Sequence, residues 1–69
     1  MTHAEKTAAR IIEYLRTHPD ATQIQMQIAL DFDFETWQNA RAYMRGRIIT
    51  ERRNNKTTYR LMDVINGSN

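Results

Sequence analysis

The sequence predicts a small α+β domain, three helices followed by a C-terminal β-hairpin, and three observations lead there. Apolar residues recur at helical spacing over the first 46 positions, and two S/T-x-x-E/Q signatures mark helix starts. Gly46 closes the helical part, and an alternating segment centred on Asn54-Asn55 follows. The chain has 69 residues with no cysteine, two glycines and one proline, which is enough for one domain and excludes a disulfide framework, a thiolate zinc site and a thiol nucleophile.

The first helix is expected over 2–18. Thr2 and Glu5 form a capping box, in which side chain and backbone satisfy each other's orphan groups. Ala4, Ala8, Ile11, Ile12 and Leu15 build one apolar stripe. Pro19 stops the helix, because the residue before a proline is pushed out of the helical region. Beside it, His18 finishes the helix, and His3 is read as solvated.

Thr22 with Gln25 repeats the capping box and opens a second helix through Leu30. Ile24, Met26, Ile28 and Leu30 alternate with glutamines, which is also strand periodicity. Helix is preferred because Gln, Met, Ala and Leu are good helix formers and Ala29-Leu30 breaks the alternation. Asp31-Phe32-Asp33 is a short connection, and Asp33 is the N-cap of a third helix over 34–46. Trp37, Ala40 and Met44 form its buried stripe, with Trp37 as core anchor. Glu35, Gln38, Asn39, Ala42 and Arg45 fall on the other side. Gly46 suits the left-handed position after a helix.

Residues 48–62 are expected as the hairpin. Asparagine tolerates positive φ, so Asn54-Asn55 can make the two-residue turn that matches strand twist. That turn pairs Arg53 with Lys56, Arg52 with Thr57, Thr50 with Tyr59 and Ile48 with Leu61. Ile48, Tyr59 and Leu61 then share the face toward the helices, and Ile49, Glu51, Thr58 and Arg60 share the other. Two like charges meet at the tip, an arrangement that would favour a polyanion there. The expected domain is 1–63, with 64–69 a frayed tail.

The overall charge of +2 hides an asymmetry. Residues 1–40 carry three cations against six carboxylates, a net −3; residues 41–60 carry seven cations against Glu51 alone, a net +6; Asp63 completes the count. Six of those seven cations are arginine, whose planar donor fork suits phosphates and guanine edges. A basic block confined to a third of a chain points to a polyanion-facing surface.

Several functions are excluded or disfavoured. A chain this short has little room for a walled, water-excluding site, so no enzyme activity and no cofactor are expected. Asp31, Asp33 and Glu35 read as turn and helix-start chemistry; they lack the twelve-residue spacing of a calcium loop, and no metal site is expected. No stretch approaches a membrane span, and MTHAEKTAAR holds no apolar run of a secretory signal, so a cytoplasmic protein without a membrane partner is expected.

The stretches TQIQMQIALDFDFETWQNARAYMRGRII and TERRNNKTTYRLM, within about residues 4–62, resemble the winged helix-turn-helix family of DNA-binding domains. Thr22 matches the polar residue that opens the family's second helix, Met26 and Leu30 its core positions, and Phe32 the apolar turn residue. Trp37 and Met44 match the inward stripe of the recognition helix, Gly46, Ile48 and Ile49 the step into the wing, and RRNNK a wing tip. The chain departs from the family at Asp31, where glycine is usual, at Glu35, which would repel phosphate, and in a compressed glycine step.

The resemblance implies a sequence-specific double-stranded DNA-binding protein, a transcriptional regulator; the short stand-alone form suggests a phage-like one. Helix 34–46 would enter the major groove and wing 48–62 would lie on the backbone. Thr36, Gln38, Asn39 and Arg45 are then the base-contact candidates, and Arg41, Arg52, Arg53, Lys56 and Arg60 the backbone candidates. Gln38 and Asn39 read equally well as solvated helix residues. Specificity from so small a module favours a homodimer on two half-sites, through Ile12 and Tyr14 of the first helix or through Val64-Ile65. Two alternatives stand beside this reading: an excisionase-like architectural protein that bends DNA, and a protein-interaction module or inhibitor whose acidic front half docks a basic partner.

Overall fold

The computed structural model describes residues 2–62. Helix α1 spans His3–Thr17, α2 Gln23–Leu30 and α3 Phe34–Met44; strands β1 (Ile48–Arg53) and β2 (Lys56–Leu61) form an antiparallel hairpin. This is an α+β layout consistent with a winged helix.

Both expected capping boxes form. Glu5 N–H donates to Thr2 Oγ1 at 3.1 Å while Thr2 N–H donates to Glu5 Oε1 at 2.9 Å. The Thr22–Gln25 pair does the same at 3.2 and 2.8 Å. Helix α1 buries Thr7, Ala8, Ile11, Ile12 and Leu15 and ends before Pro19. Ile12 therefore belongs to the core and is not an outward dimer contact. Tyr14 packs half-buried against the core and stacks on the His18 ring at 4.1 Å. Val64-Ile65, the other suggested dimer contact, lies outside the described residues.

The ambiguous segment is helical, and its periodicity shows why it looked like a strand. In a helix, residues two apart point to nearly opposite sides. Met26 is fully buried and Leu30 half-buried, while Ile24 and Ile28 face outward with 60% and 77% of their surface exposed. The alternation reflects two apolar sides of one short helix, of which the core covers only one.

Asp31 takes the left-handed conformation that ends α2, with φ of +57°. The aspartate thus performs the turn for which glycine is usual; aspartate is among the residues that tolerate this region. Phe32 stacks parallel to the Trp37 indole at 6.4 Å. In α3, Trp37, Ala40 and Met44 are buried against α1 as the spacing predicts. The helix stops at Met44, two residues short of the expected 46. Arg45 is extended in ψ, and Gly46 follows at φ of +80°, a conformation L side chains rarely adopt.

The hairpin has the register expected from its turn, from Ile48 opposite Leu61 to Arg53 opposite Lys56. Asn54 and Asn55 both have positive φ, 52° and 65°, as a type I′ turn requires. Tyr59 is the hairpin's buried anchor, set edge-on to Trp37 at 5.0 Å. A further contact was not foreseen. Asp20 turns the chain at φ of +66°, and Ala21 bridges β2: Asp20 N–H donates to Tyr59 O at 3.0 Å and Tyr59 N–H to Ala21 O at 2.9 Å. The α1–α2 connection thus straps the hairpin to the helices.

Candidate nucleic-acid interface

The basic segment is divided by the two faces of the hairpin and by the end of α3. Along α3, Glu35, Gln38, Asn39 and Ala42 point away from the buried stripe and are exposed. Asp33 fixes the start of this helix, accepting from Thr36 N–H at 2.8 Å. Hydrogen bonds from Thr36, its side chain first and its backbone N–H second, hold the Asp33 carboxyl below the usual aspartate range.

A groove of about 400 Å³ runs between the C-terminal half of α3 and β1. Gln38, Arg41, Arg45, Gly46, Ile48 and Thr50 line it, and no acidic side chain does. Gln38, Arg41 and Arg45 follow one another at i, i+3 and i+7 on one side of the α3 axis, and the turn closed by Arg47 N–H donating to Met44 O at 2.9 Å leads the chain into β1. Arg52 follows Ile48 and Thr50 on the same strand face, extending the line of cations toward the turn. Among the described residues no carboxylate lies within ion-pair distance of Arg41, Arg45, Arg52 or Lys56.

The opposite hairpin face is arranged differently. Glu51 pairs with both Arg53 and Arg60, the latter at 2.9 Å, and Arg60 also reaches Asp20 at 4.0 Å. A second groove, of about 460 Å³, is lined by these four residues together with Lys56 and Thr58. The like charges at the tip are thus partly offset, since Arg53 turns to Glu51 on its own strand.

The nine residues singled out from the sequence therefore fall into separate groups. Gln38, Arg41 and Arg45 meet at the first groove, and Arg52 continues their line. Asn39 is exposed on the outward side of α3. Thr36 is half-buried on the far edge of α3, about 160° around the helix from Gln38, and does not join the groove. Lys56 stands at the turn. Arg53 and Arg60 are engaged by Glu51. That role of Glu51 was missed, although the register carried the signal: Glu51 lies opposite Thr58, which places Arg60 diagonally across and Arg53 two residues along the same face.

No family model, no curated protein and no solved structure matches this chain. The functional reading therefore rests on the residues themselves. Among the described residues, no helix is long and apolar enough to cross a membrane.

Proposed function

We propose that the protein binds double-stranded DNA in a sequence-specific manner, as a transcriptional regulator of the winged-helix type. The observation that carries the reading is the line of cations Arg41, Arg45 and Arg52, which meet no carboxylate among the described residues, beside an outward helix face bearing Gln38 and Asn39. Helix α3 is 11 residues long, roughly 16 Å, and a helix fits the B-DNA major groove. Gln38 and Asn39 offer donor and acceptor together, the pattern that reads adenine, and Arg45 offers a fork for guanine or phosphate. Arg41, Arg52 and Lys56 neutralise phosphates and set register without reading sequence. Such a protein acts where the genome is, in the cytoplasm or nucleoid if the chain is prokaryotic or phage-encoded, and two copies on adjacent half-sites would extend the short stretch of DNA that one copy reads.

The test is a fluorescence titration of labelled duplex at several salt concentrations. The variant Arg52→Ala/Arg53→Ala/Lys56→Ala is expected to bind about tenfold or more weakly at low salt, with a shallower salt dependence. No affinity of the wild type for duplex at low salt would end the DNA reading.

One observation favours a second reading, a protein-interaction module. Ile24 and Ile28 form an exposed apolar pair on a helix without a single charge. If that side of α2 docks a protein and α3 reads nothing, Ile28→Ser abolishes the function while Gln38→Ala leaves it intact.

A further inference from the structure

Arg53 and Arg60 have no role in folding that the core requires, yet both are held. The Arg53 side chain is 76% exposed and that of Arg60 44%, while the Glu51 side chain between them is 33% exposed. Glu51 Oε2 takes Arg53, and Oε1 takes Arg60 Nη1 at 2.9 Å. Asp20, from the strap that fastens β2, stands behind Arg60. A carboxylate and a phosphate diester offer guanidinium the same pair of charged oxygen acceptors. Glu51 is also the single carboxylate within residues 41–60. It stands on the outer hairpin face, away from the groove between α3 and β1, and so leaves Arg41, Arg45 and Arg52 untouched.

We propose that Glu51 is an internal competitor for DNA phosphate: it occupies Arg53 and Arg60 and so limits backbone contact by the wing. This rests on the DNA-binding reading and assigns a specificity role within it. Sequence-independent affinity grows with each phosphate neutralised, and it dilutes a regulator over non-cognate DNA. With Glu51 in place, non-specific binding draws on the α3 side of the wing and on Lys56 at the turn. Without it, Arg53 is released and Arg60 keeps only the more distant Asp20 carboxylate at 4.0 Å, so both guanidiniums can turn to the backbone. Exposed ion pairs contribute little to folding, so removing the carboxylate leaves the hairpin intact.

The experiment measures log K against log salt for random-sequence duplex, for wild type, Glu51→Gln, Arg52→Ala, Arg53→Ala/Arg60→Ala and the triple variant Glu51→Gln/Arg53→Ala/Arg60→Ala, each checked by thermal unfolding. Glu51→Gln is expected to bind random duplex about three- to tenfold more tightly at low salt and to steepen the slope by roughly one to two units. Arg53→Ala/Arg60→Ala in the wild-type background is expected to change the slope by less than about half a unit, and in the Glu51→Gln background to restore the wild-type slope. Should Glu51→Gln unfold, Glu51→Thr replaces it, since threonine suits a strand and carries no charge. An unchanged or shallower slope in Glu51→Gln overturns the proposal, as does a loss of slope in Arg53→Ala/Arg60→Ala as large as that of Arg52→Ala. If the wild type binds and responds to Arg52→Ala while Glu51→Gln matches it, the competitor role alone falls. If neither wild type nor Glu51→Gln binds duplex, the DNA reading falls and takes this proposal with it.

Discussion

The helices and the hairpin use their side chains in opposite ways. Among the described residues, those up to Met44 supply every buried hydrophobic side chain but one, and that one is Tyr59. The hairpin hangs on this ring, on half-buried Ile48 and Leu61, and on the two backbone hydrogen bonds to the Asp20–Ala21 strap. Most of its other side chains meet solvent, and five of its twelve strand residues are charged. The difference separates stability from interaction: packing variants belong to the helices, and charge variants of the hairpin leave the fold alone.

The largest effect expected is from Trp37→Ala. Trp37 is 1% exposed and touches both Phe32 and Tyr59. Its truncation should remove about 3–5 kcal/mol, most of the stability of a domain this size. Thermal unfolding followed by far-UV circular dichroism reads this, and a near-native transition would break the assignment of Trp37 as the anchor. Tyr59→Ala should cost somewhat less, about 2–4 kcal/mol, and act first on the hairpin. Amide exchange should then lose protection over 56–61 while α1 retains it. Equal loss in α1 would show that helices and hairpin unfold as one unit and would sharpen the comparison.

Arg52→Ala/Arg53→Ala/Lys56→Ala should do the reverse. Its melting temperature should stay within about 2 °C of wild type, since exposed charges contribute little to folding, while duplex affinity falls. A large drop in melting temperature would mean that the hairpin's charges are part of its attachment. An effect smaller than the loss of duplex affinity concerns Asp33. Its carboxyl titrates below the usual aspartate range in the fold because of Thr36. The stabilisation is therefore complete above the unfolded value of about 3.9 and is lost as pH falls through the lower, folded value. Asp33→Ala should lower the melting temperature by roughly a few degrees at neutral pH and converge on wild type in acid. A difference that persists in acid would place its origin elsewhere.

Local chemistry made most of the fold legible. Thr2–Glu5 and Thr22–Gln25 announced two helix starts, Asp33 a third, and Asn54-Asn55 fixed the hairpin register residue by residue. The strap at Asp20–Ala21 was not legible, because its partner Tyr59 is remote in sequence and a two-bond bridge leaves no periodicity. Ile24 and Ile28 were not legible as exposed, since spacing tells which residues share a side but not which side the core covers. At the interface, the cations were visible as a block and their division was not. It depends on Glu51 lying on one hairpin face, where it takes Arg53 and Arg60, and on β1 lying beside α3.

Selection of bound fragments from random duplex DNA tests the central claim most directly. The account predicts that wild type enriches a common short site, and that Gln38→Ala/Asn39→Ala loses the enrichment while still retaining random duplex with its salt dependence. Recovery of unenriched fragments by the wild type, or identical enrichment by the variant, would contradict the assignment of α3 as the element that reads sequence.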